Sequence, residues 1–76
     1  MKLFGFSETS YAAHAVRPDT LAEVTLVATP AELRRIAEFL VSTAMDMETM
    51  GVKYSHEHLS DWDHSFESAP EFVVAR

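Results

Sequence analysis

Thr29-Pro30-Ala31-Glu32 is the most informative tetrapeptide in this 76-residue chain. A Thr supplies the N-cap oxygen, Pro takes the first helical position where no amide donor is needed, and Glu three residues after the cap closes a capping box. The helix therefore starts at Pro30. Downstream, Leu33, Ile36, Ala37, Leu40, Val41, Ala44, Met47 and Met50 recur at spacings of three and four, which predicts one apolar stripe facing a core. Arg34, Arg35, Glu38, Ser42, Asp46, Glu48 and Thr49 fill the other faces, and Phe39 and Met45 fall off the stripe, where they would leave an exposed apolar patch. Gly51 is the expected stop, giving a helix of about 21 residues and roughly 31 Å at ~1.5 Å per residue.

Working outward from the helix, Leu21–Ala28 alternates in the manner of a strand, with Val24, Leu26 and Ala28 on one face, and Lys2–Glu8 does so with Phe4 and Phe6. Between them, Thr9–Thr20 reads as a connection ending in the turn signal Arg17-Pro18-Asp19. After Gly51 the pattern loosens: Val52-Lys53-Tyr54 suits an extended start, and Leu59, Trp62 and Phe66 suit a loop or one or two helical turns. Ser68-Ala69-Pro70 is a break, and Glu71–Ala75 reads as a last strand with Phe72 and Val74 on one face. The expected fold is a single α+β domain over residues 1–76, strand-strand-helix-strand, with one long helix on one face of a small three- to four-stranded sheet. A lone helix covers only one side of such a sheet, so a homo-oligomer is expected.

Composition narrows the function. A chain this short buries only about 60% of its unfolded surface, which excludes a two-domain enzyme. With 47% hydrophobic and 24% charged residues the chain is globular in composition. The formal charge of −6 disfavours nucleic acid and anionic membrane and favours a basic protein partner. There is no Cys, hence no disulfide, thiolate nucleophile or Cys-ligated zinc. The amino-terminal stretch has neither the layout of a signal peptide nor a membrane span, so a cytoplasmic protein is expected.

The charge is unevenly placed. Residues 1–53 carry five basic and seven acidic side chains, residues 54–76 one basic and five acidic. That last third also holds the only Trp and three of the four His. Its segment His56, Glu57, His58, Asp61, Trp62, Asp63, His64 and Glu67 is the candidate partner-binding surface, because clustered acids steer a basic partner and Trp anchors interfaces and accepts cations on its ring. The same residues admit blander roles, with the acids keeping a loop solvated and Trp62 closing one end of the core. A metal site on His56, His58, His64 and Asp61 is a second possibility from residue types alone, although the spacing matches no metal template. No phosphate loop, nucleophile elbow or other catalytic motif is present, and no cofactor is expected.

The run Ala22-Glu23-Val24-Thr25-Leu26-Val27-Ala28-Thr29-Pro30-Ala31-Glu32-Leu33-Arg34-Arg35-Ile36-Ala37-Glu38-Phe39-Leu40, followed by His56-Glu57-His58-Leu59-Ser60-Asp61, resembles the small bacterial immunity protein 32 family, whose members are encoded beside polymorphic toxins. The resemblance covers roughly residues 22–76. It implies an α+β protein that is not an enzyme and that binds and neutralises a cognate toxin.

Overall fold

The computed structural model describes residues 1–7 and 20–76. In chain order the elements are β1 (Lys2–Ser7), β2 (Leu21–Val27), α1 (Pro30–Met50), a 3-10 turn (Gly51–Lys53), β3 (His56–His58), α2 (Leu59–Trp62), a second 3-10 turn (His64–Phe66) and β4 (Val73–Ala75). The class is α+β, in the order expected. Of the expected first strand, Glu8 lies outside the described residues, as does nearly all of the connection that follows it.

The capping box forms as the sequence dictates. Glu32 N–H donates to Thr29 Oγ1 at 3.1 Å, and Thr29 N–H donates to Glu32 Oε1 at 2.9 Å. The other Glu32 oxygen accepts from the Met1 ammonium at 2.9 Å, which fastens the start of β1 to the first turn of α1. At the far end Gly51 adopts φ 57°, a conformation that only glycine enters cheaply, and its N–H closes on the Met47 carbonyl.

The four strands form two separate antiparallel ribbons, β1 with β2 and β3 with β4, rather than one sheet. Helix length is the physical reason: α1 carries the chain roughly 31 Å from the end of β2 before β3 begins. Antiparallel pairing with the nearby β4 then closes a short loop at small entropic cost. His56 pairs with Ala75, Glu57 with Val74 and His58 with Val73. The ladder is extended by Arg76 N–H to Ser55 O and by Leu59 N–H to Phe72 O.

The buried core is Ile36, Phe39, Leu59 and Phe66, with Met1, Leu26, Trp62, Ala69, Phe72 and Val74 packed around it. Phe72 and Val74 thus share the inward face that their alternation predicted. The helix is rotated from its expected setting. Phe39 is fully buried and Thr43 nearly so, whereas Leu33, Leu40, Val41 and Met50 of the expected stripe are exposed. Spacings of three and four run along both sides of α1, so periodicity leaves two settings open. The setting that buries Phe39 removes the largest apolar surface and brings its ring to 5.7 Å from Trp62 and 6.4 Å from Phe72. Met45 is exposed, in agreement with its off-stripe position.

In the β1–β2 ribbon the register places Leu3 opposite Leu26 and Phe4 opposite Thr25. Leu26 and Ala28 are partly buried as expected, but Val24, on the same face, is 63% exposed because it lies beyond the reach of the core. Phe4, Phe6 and Val27 on the other face are exposed as well.

Candidate functional site

The chain after α1 folds back on the helix in short, tightly bonded steps. Asp63 N–H donates to Leu59 O at 2.8 Å and closes α2. Asp63 then caps the next turn, its Oδ1 accepting from Ser65 N–H at 3.0 Å and from Ser65 Oγ at 2.7 Å. Leu59 and Phe66 are driven into the core, and of the polar residues between them Asp61, His64 and Ser65 are exposed.

β3 and α2 together form an open groove of about 310 Å³ lined by His56, Glu57, His58, Asp61 and Trp62. Strand alternation puts His56 and His58 on one side of β3, with ring centroids 5.2 Å apart and edge to face. His58 Nδ1 donates to Glu71 Oε2 at 2.9 Å, which fixes the ring and leaves Nε2 for a ligand. His56 Nδ1 and Ser55 Oγ are 2.9 Å apart. Asp61 is exposed and makes no ion pair among the described residues.

Trp62 is partly buried and covered on two sides. Phe39 packs against it, and the Arg35 guanidinium sits 4.6 Å from its ring centroid. The sequence offers this ring to a partner's cation; in the folded chain its own arginine holds that place. Arg35 Nε also donates to Asp63 Oδ2 at 2.9 Å, and Arg35 Nη1 to Glu38 Oε2 at 2.6 Å. The Ser65 hydrogen bonds, followed by Arg35, hold the Asp63 carboxyl down at about 2. Glu57 behaves oppositely: desolvation, then the neighbouring Asp46 carboxylate, push its pKa above the ordinary Glu range.

Five of the eight sequence-nominated residues therefore converge on one groove. Asp63 supports it from behind through Arg35. His64 and Glu67 are exposed and bonded to each other at 3.0 Å, outside the groove lining. Among the described residues no three His, Asp or Glu side chains gather where a metal ion would sit, so His56, His58, His64 and Asp61 do not form a ligand set. Arg35 and Glu71, which position Trp62 and His58, are not legible as site residues in the sequence: each acts through a tertiary contact across 13 or more positions. The described helices include none long and apolar enough to cross a membrane.

No curated protein and no solved structure matches the chain. The family model described as immunity protein 32 matches residues 23–76, from β2 through the capped helix and the whole groove-bearing segment to the last residue. With more than two thirds of its length matched, including every residue that builds the groove, the chain belongs to the immunity protein 32 family.

Proposed function

We propose that this protein is a non-catalytic immunity protein that neutralises a cognate toxin by seating a basic part of it against the groove between β3 and α2. The carrying observation is the groove itself: two His and the Asp61 carboxylate are held around a rigid Trp62 in the most acidic third of the chain. A partner's Lys or Arg entering there would find Asp61, which makes no ion pair among the described residues, as counter-ion and the free imidazole nitrogens as acceptors. Surrounding acids, Glu67 and Glu71 among them, add to the field that attracts a basic surface from a distance. Family membership supports a binding role, and no catalytic motif in the sequence argues for another.

The test is co-expression with the toxin encoded beside this protein's gene. Growth rescue and a co-purifying complex are expected, and both should weaken in Asp61→Lys and His58→Ala variants whose circular dichroism is unchanged. Rescue that is indifferent to both substitutions overturns the groove as the binding site. Absence of any complex overturns the function itself.

A further inference from the structure

The side of α1 that faces away from the core carries its own pattern. At ~100° per residue, Val41 lies almost opposite the buried Ile36, Phe39 and Thr43. Ala37, Glu38, Val41, Ser42 and Met45 line a shallow groove there, mostly apolar in surface, and Val41 and Met45 are 62% and 63% exposed. Arg34 and Glu48 stand seven residues before and seven after Val41, within about 20° of it around the helix. Both are exposed, and neither makes an ion pair among the described residues.

We infer that this face is the interface of a homodimer, in which the α1 helices of two copies pack antiparallel about a twofold axis at Val41. Charge complementarity selects the occupant. A twofold axis at Val41 brings Arg34 of each copy beside Glu48 of the other, so the face is complementary to itself, which is the requirement for an isologous contact. A parallel pair would instead set Arg34 against Arg34 and Glu48 against Glu48. The small side chains of Ala37 and Ala44 let the two backbones approach closely, and Val41 meets its own counterpart at the centre. A basic partner has little reason to choose this face, where Arg34 and Glu48 balance and Glu38 is already paired with Arg35; the acidic groove attracts it and lies on the other side of α1, free in the dimer. A strip of this length falls at the low end of interface sizes, below ~1,200 Å² in total, so the dimer should be weak, with dissociation in the micromolar range.

Sedimentation velocity on the full chain between about 5 µM and 0.5 mM brackets that range. A reversible monomer–dimer equilibrium is expected. Val41→Glu, which sets two carboxylates face to face on the axis, should leave only monomer. Arg34→Glu and Glu48→Arg should each weaken the dimer about tenfold, and the double variant should restore it, because only the reciprocal pairing is preserved by the exchange. All three substitutions are on exposed positions, and circular dichroism checks that the fold is intact. A chain that is monomeric at the highest concentration overturns the inference. So does a dimer indifferent to Val41→Glu, or a double variant no better than either single one. Loss of toxin rescue in Val41→Glu without any dimer in the parent chain would also overturn it, in favour of the toxin as occupant.

Discussion

The Arg35 guanidinium lies 4.6 Å from the centroid of the Trp62 ring and so ties α1 to the short helix that carries the groove. One side chain makes three contacts at once: the ring face, Asp63 and Glu38. Arg35→Ala should lower the melting temperature by a few degrees, and Arg35→Lys should recover less than half of that loss, since an ammonium cannot stack on the ring and fork to a carboxylate together. Thermal unfolding followed by Trp fluorescence measures both effects. It should also show a change in native-state emission, because the indole loses its cover.

Phe39 and Val41 exchange the roles that periodicity assigned to them. Phe39→Ala removes a fully buried ring from between Trp62 and Phe72 and should cost about 3–5 kcal/mol, enough to unfold much of a domain this small. Val41→Ala, on the outward face, should stay within about 0.5 kcal/mol when measured at submicromolar concentration, below the range in which the chain associates. Urea titrations of the two variants decide it. A larger cost for Val41→Ala than for Phe39→Ala would mean that the helix sits in its other setting.

How much of this was legible in the sequence follows from the range over which each feature is determined. Thr29, Pro30, Glu32 and Gly51 specify the ends of α1 through bonds within one or two turns, and both ends form as expected. Alternation placed Phe72 and Val74 inward for the same local reason. The rotation of α1 depends on which side meets Trp62 and Phe72, residues more than 20 positions away, and spacing cannot decide that when apolar residues line both sides. The split into two ribbons likewise depends on where a 21-residue helix delivers the chain. The candidate site was visible as a composition, three His, five acids and a Trp, but its geometry was not. Only the pairing of β3 with β4 and the Arg35 contact separate the groove residues from His64 and Glu67.

Asp63 and Glu57 should leave opposite marks on the pH dependence of stability. The Asp63 pKa is depressed to about 2 by Ser65 and Arg35, so its contribution is fully present above the unfolded carboxyl value near ~4 and is lost as pH falls toward 2. Glu57 has a raised pKa, so the folded state holds its proton longer than the unfolded chain does and stability declines as pH rises from about 4.5 through the folded value. Asp63→Asn should therefore destabilise at pH 7 and matter little at pH 2. Glu57→Gln should be neutral near pH 4 and stabilising at pH 7. Denaturation midpoints across this range give the comparison; two substitutions with the same sign at pH 7 would contradict it.

Gly51 is needed for its backbone. Its φ of 57° with ψ of −128° lies outside the regions open to residues with a Cβ, although beyond the adjacent residues no atom lies within 4 Å of where a Cβ would be. Gly51→Ala should thus cost about 1–3 kcal/mol through local backbone strain, with no clash against the rest of the fold. Gly51→Asn should recover little, because the position is not the ordinary left-handed helical one that Asn tolerates. Chemical denaturation separates this from Val52→Ala next to it, where a side chain 90% exposed should change almost nothing.

If the groove receives the toxin, charge reversals in the acidic segment should fall into two classes. Asp61 lines the groove and makes no ion pair among the described residues, so Asp61→Lys removes a counter-ion and places a like charge against an incoming cation; it should raise the dissociation constant for the toxin by tenfold or more, about 1.4 kcal/mol. Glu67 is outside the lining and bonded to His64, so Glu67→Lys changes the long-range field by the same two units of charge without touching the contact. Its effect should be confined to a slower association that vanishes in high salt, whereas the Asp61→Lys loss should persist there as faster dissociation. Surface plasmon resonance at two ionic strengths distinguishes them. Equal behaviour of the two variants would mean that the segment acts only as a diffuse negative field and that the groove does not itself grip the partner.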